Sequence, residues 1–164
     1  MFLQTLFALS SLIPAITAFA PSHLDVDDGR LAPSAATYTR SSITIAGGRR
    51  FTAEVFSPRQ TSSESRYPGV VVIATDETRD RAFLIASRMS EIGVTVIMYT
   101  QAWNGTHNYW VLDAQAAVDS MRRRGDVRMD EIGVIAFEEA TTVVPDLVKD
   151  TTLSFAVAAS GDDY

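Results

Sequence analysis

The sequence predicts an α/β fold, a mostly parallel sheet of about six strands flanked by helices and entered through an N-terminal β-hairpin. Three observations carry this. Residues 69–75, 94–99 and 132–137 are largely apolar runs without regular polar alternation, Thr75 and Thr95 being their polar residues, as expected of strands covered on both faces. The segments between them repeat apolar residues at helical spacing. Gly47-Gly48 separates two short β-rich runs, 42–46 and 51–56, which is a hairpin signal. Strands that alternate with helices are joined by crossovers and so lie parallel.

Along the chain, 60–66 reads as a polar loop and Pro68 precedes the first buried strand. A helix over 80–92 is predicted from Ala82, Ile85, Met89 and Ile92, with Asp80 as its cap and Gly93 as its end. After the strand 94–99 a loop runs through Asn108. A second helix follows over 110–124, its core stripe formed by Trp110, Val111, Ala114, Ala117, Val118 and Met121, and Gly125 closes it. The third buried strand leads into a short helix over 141–149. A final strand, 153–160, opens at Leu153 and closes at Ser160.

The amino-terminal 20 residues carry no charge and are rich in Phe, Leu, Ile and Ala. The run is short for a membrane span and is interrupted by Pro14, so it reads as a signal or targeting peptide, with no transmembrane span left in the mature chain. Residues 21–40 lack periodicity and form a linker or processed segment; the folded domain is 41–164. The junction Ala15-Ile16-Thr17-Ala18-Phe19-Ala20-Pro21 is also similar to the Ala-x-Ala-Phe-Ala-Pro site of bipartite plastid presequences. Secretion is the expected destination and plastid import the alternative. Asn104-Gly105-Thr106 is a glycosylation sequon in a predicted loop, so Asn104 is a glycan candidate on the secretory route.

Composition excludes several chemistries. A net charge of −6 and scattered arginines argue against nucleic acid, which selects a basic stripe. The one tight run, Arg122-Arg123-Arg124, sits at a helix end, where cations complement the carbonyl dipole. Without cysteine there is no disulfide, thiol nucleophile or thiolate metal site. The two histidines are His23, in the segment expected to be processed, and His107, in the loop after the second buried strand. No cofactor is expected.

The chemistry-bearing stretch is Ile132-Gly-Val-Ile-Ala-Phe-Glu-Glu-Ala-Thr-Thr-Val143, a buried strand that turns abruptly into a helix. Loops after parallel strands gather at one sheet edge. There they would hold Asp76 and Glu77, Glu138 and Glu139, and Asp162 and Asp163, an oxygen-only set suited to a hard divalent cation. Acids in the first turn of a helix are also favoured simply by its unpaired N–H groups, and acidic loops are commonly just solvated.

The order of these elements resembles the first half of an α/β-hydrolase, in particular the dienelactone-hydrolase-like esterases, over residues 41–161. The resemblance rests on Arg66-Tyr-Pro-Gly before Val70-Val-Val-Ile73, on Arg79-Asp-Arg-Ala-Phe83, on Asp113-Ala-Gln-Ala-Ala-Val-Asp119, and on Asp130-Glu-Ile-Gly-Val-Ile-Ala-Phe137. It implies that the turn after Phe137 is the nucleophile elbow, normally Gly-x-Ser-x-Gly. Here the elbow reads Ala136-Phe137-Glu138-Glu139-Ala140, with small neighbours kept and the serine replaced by Glu138. The oxyanion loop, His-Gly in such esterases, is Ala74-Thr75-Asp76-Glu77, and an aspartate of the next loop is Thr100. The loops that would carry the catalytic acid and histidine fall beyond Tyr164. A carboxylate nucleophile at Glu138 would still need a histidine to activate water.

The resemblance therefore implies a catalytically inactive, truncated α/β-hydrolase-like domain, whose role, if any, is binding or scaffolding. Two alternatives stand beside it: a fragment of a longer carboxylic-ester hydrolase, and an acidic-loop module binding a divalent cation through Asp76, Glu77, Glu138 and Glu139. The final strand would leave an apolar sheet edge open to a second copy of the chain.

Overall fold

The computed structural model of the chain describes residues 38–59, 65–101 and 106–160; the leader, Asn104, Asp162 and Asp163 lie outside them. The hairpin is longer than predicted. Strands β1 (Tyr38–Ala46) and β2 (Arg50–Pro58) pair antiparallel along their whole length, from Tyr38 opposite Pro58 to Ala46 opposite Arg50. Then come β3 (Tyr67–Ala74), helix α1 (Arg79–Glu91), β4 (Thr95–Thr100), α2 (His107–Arg122) and β5 (Val127–Phe137). A 3-10 turn, Glu138–Val143, leads into the short helix α3 (Val144–Asp150), and β6 (Phe155–Ala159) ends the sheet. The strand order is β1-β2-β4-β3-β5-β6, with β3, β4, β5 and β6 parallel and the hairpin antiparallel.

Alternation along the parallel strands explains the two cores. Val71, Ile73, Ile97, Val134 and Ala136 face α2 and α3, whereas Val70, Val72, Val96, Met98 and Phe137 face α1. Phe56 anchors the second core, edge-on to Phe83 at 5.3 Å between ring centroids. A fully buried aromatic ring of this kind contributes a few kcal/mol.

Several element ends differ from the sequence expectation, each for a local reason. Asp80 is not the cap of α1; Thr78 holds that position, and Asp80 falls in the first turn. Ile92 is not on the core stripe, because the helix ends at Glu91 and Ile92 stands 78% exposed before Gly93. Gly93 reverses the chain at φ +95°, a value that only glycine adopts without strain. Helix α2 begins three residues early, at His107, since Thr106 is the last extended residue and the polar first turn carries no apolar signal. Strand β5 likewise starts at Val127, paired with Tyr67 across a bulge, with Arg128, Met129 and Asp130 exposed at that end.

Candidate active site

The turn after β5 is where the backbone departs from ordinary geometry. Phe137 is extended at φ −108°, and Glu138 then swings to φ +50°, the one non-glycine residue with positive φ among those described. A left-handed residue with a Cβ costs on the order of 1–2 kcal/mol. The neighbours make the turn possible: Ala136 and Ala140 are fully buried, so larger side chains on either side would have no room. The small residues seen in the sequence therefore do support a tight strand-to-helix elbow, and the residue at its apex is Glu138, half-buried, with Glu139 exposed beside it. The strain can be measured. Glu138→Gly is expected to be about 1 kcal/mol more stable than Glu138→Ala in denaturant unfolding, because both lose the carboxylate and only glycine sheds the Cβ.

The neighbouring loop is held by two threonines. The Thr75 N–H donates to Thr78 Oγ1 at 2.9 Å, the Thr78 N–H donates to Thr75 Oγ1 at 3.2 Å, and the two hydroxyls lie 3.0 Å apart. Both side chains are buried by this reciprocal clasp, which turns Asp76 and Glu77 outward into solvent. Because β3 and β5 are adjacent in the sheet, the clasped loop and the elbow meet. Thr75, Asp76, Glu77 and Glu139 line a cleft of about 300 Å³ between them. Next to the end of β3, the Gln101 N–H donates to the Ala74 carbonyl at 2.7 Å. The Gln101 side chain is buried, and its Nε2 has no hydrogen-bond partner among the described residues.

Of the six acids expected at this edge, the four within the described residues, Asp76, Glu77, Glu138 and Glu139, sit on two adjoining loops. Among the described residues, however, no three acids or histidines stand close enough together to hold a metal ion. A cleft walled by Asp76, Glu77 and Glu139 is also the wrong electrostatic setting for acyl transfer, whose intermediate develops negative charge and needs donors around it.

His107 does not line this cleft. It opens α2 with its Nε2 2.9 Å from Asp146 Oδ2 of α3, and its ring stands edge-on to Trp110 at 6.3 Å. The hydrogen bond from His107, followed by one from Lys149, holds the Asp146 carboxyl below its usual range. Sequence reasoning did not find this pair, since 39 residues separate its members and neither belongs to a motif. It also missed the buried carboxylate of Asp113. That group accepts a hydrogen bond from the Arg49 N–H at 3.0 Å and lies 3.6 Å from the Arg49 guanidinium, tying the hairpin turn to α2. Burial, with Asp113 as the second cause, pushes the Tyr99 hydroxyl well above the usual phenol value.

The sequence matches no protein-family model and no curated protein. The fold does match solved structures. A dienelactone-hydrolase-like promiscuous phosphotriesterase from metagenomic libraries superposes with a TM-score of 0.59 at 20% identity, over 76% of this chain and 60% of the other. A hypothetical protein from Pseudomonas aeruginosa gives 0.65 at 19% identity, over 85% and 48% respectively. The protein m3DLH gives 0.59 at 20% identity, over 74% and 59%. The described chain therefore has the α/β-hydrolase fold in partial form, spanning about half to three fifths of the length of these structures.

Proposed function

We propose that this chain forms the amino-terminal half of an α/β-hydrolase fold in which the serine site has become a carboxylate, and that it acts by binding rather than by serine-type ester hydrolysis. The observation that carries this reading is Glu138 at φ +50°: the strained elbow is kept, and the hydroxyl it would present is gone. The acidic loop opposite, with Asp76 and Glu77 facing solvent, lends further support because it opposes an oxyanion. The full chain is expected to resist labelling by a fluorophosphonate serine-hydrolase probe and to turn over p-nitrophenyl acetate no faster than buffer. Ester turnover that Glu138→Ala abolishes would overturn the reading.

A second reading, a segment of a longer carboxylic-ester hydrolase, is favoured by the partial coverage of the solved neighbours. The intact mass of the protein from its native source discriminates. Mass beyond Tyr164 that includes a histidine-bearing loop would favour this second reading. The same spectrum tests the proposed secretory route and a sugar on Asn104, which rest on the uncharged leader and the sequon. A third reading is a divalent cation bound through Asp76, Glu77, Glu138 and Glu139; absence of heat on titrating Ca²⁺ or Mg²⁺ at millimolar concentration would dispose of it.

A further inference from the structure

The two edges of the sheet are built differently. The outer edge of β1 displays Arg40, Ser41, Ser42 and Thr44, all exposed, and Arg40 reaches across to Glu54 at 2.7 Å. Charged and hydroxyl side chains of this kind discourage another strand from pairing. The opposite edge, β6, reads Phe155-Ala-Val-Ala-Ala159, with neither charge nor proline. One side of β6 pairs with β5, and its other side is the open edge of the described sheet. Its residues are half-buried except for the exposed Ala158.

We propose that β6 pairs antiparallel with β6 of a second copy of this chain, about a two-fold axis passing between the two Val157 residues. The argument for a second copy is that the strand complements itself. Centred on Val157, the register sets Phe155 opposite Ala159 and Ala156 opposite Ala158, so that no like charges meet and the one large ring faces a small side chain. The axis stands normal to the sheet, so the same faces of the two copies adjoin. Phe155 and Val157 share a face with Ile135, since they pair with Gly133 and Ile135 of β5. Both Ile135 and Phe155 are only half-buried against the α1-side core. Two such strips side by side add apolar contact beyond the backbone pairing of the two five-residue strands. The interface is isologous and closes at two copies.

The test uses the full chain in sedimentation velocity at micromolar concentration. The unsubstituted chain is expected to run as a dimer. Val157→Lys and Val157→Glu should each run as monomers, since each sets like charges opposite one another across the axis. An equimolar mixture of the two variants should recover the dimer, because Lys then faces Glu. A monomeric unsubstituted chain overturns the proposal, as does a dimer that neither substitution disturbs. A monomer whose β6 amides exchange slowly overturns it as well and assigns the edge to residues of the same chain. Should both variants lose their far-ultraviolet circular dichroism, the unsubstituted chain decides. Protection of β6 amides that rises with protein concentration upholds the pairing, and protection independent of concentration refutes it. The outcome is separate from the functional reading, which the serine probe tests on monomer and dimer alike.

Discussion

Asp113→Ala is expected to lower the unfolding free energy by about 3 kcal/mol, a large effect for a residue that belongs to no catalytic cleft. The carboxylate is 3% exposed and makes two contacts to one residue, the backbone N–H and the guanidinium of Arg49. Truncation leaves that N–H without its acceptor at the point where the hairpin turn meets α2. The Arg49 side chain is 30% exposed and regains water, which keeps the loss below that of a fully buried pair. The contact is intimate: a Cβ on Gly47 would lie 2.7 Å from the Asp113 Cα, so the turn and the helix have no spare room. Urea unfolding of Asp113→Ala and Asp113→Asn checks this. Asparagine keeps the acceptor for the N–H and should recover about half of the loss; equal stability of all three proteins would show that the link contributes nothing. The alanine variant also removes the second of the two influences that raise Tyr99, so its tyrosine titration should move toward the ordinary value.

Gly133→Ala is the other substitution with a large expected effect, about 2 kcal/mol of destabilisation. A Cβ at Gly133 would come within 2.2 Å of the Phe155 ring, which occupies the space a side chain would need at this position. The ring must leave, and with it goes the main apolar anchor of β6. Phe155→Leu should itself be destabilising by about 1 kcal/mol, yet combining it with Gly133→Ala should cost less than the sum, because the smaller side chain clears the space. A double-mutant cycle by denaturant unfolding measures the coupling; strict additivity would show that β6 is not seated through this contact. Loss of β6 would also abolish any pairing at that edge, which links the cycle to the oligomeric state.

Much of the scaffold is legible in the residue order. Buried parallel strands announce themselves as apolar runs such as Val70 to Ile73, and Gly93 marks the end of α1 by the conformation it alone tolerates. The elbow could be located because Ala136 and Ala140 flank Glu138 at the end of such a run, a local pattern read within five residues. Element ends were less legible. The first turn of α2 and the start of β5 are polar, and their structure is set by tertiary pairing, such as that of Val127 with Tyr67, rather than by periodicity.

By itself, then, the sequence determined the strand and helix order and the position of the sharp turn at Glu138, because each is written in neighbouring residues. Only the tertiary structure decided that Glu138 takes a left-handed backbone, that Thr75 and Thr78 clasp the facing loop, that Asp113 holds the hairpin, and that His107 belongs to Asp146 rather than to the elbow cleft. The last two contacts join residues 64 and 39 positions apart. At such separations nothing local marks the partner, and the choice falls to how helices and strands pack over the sheet.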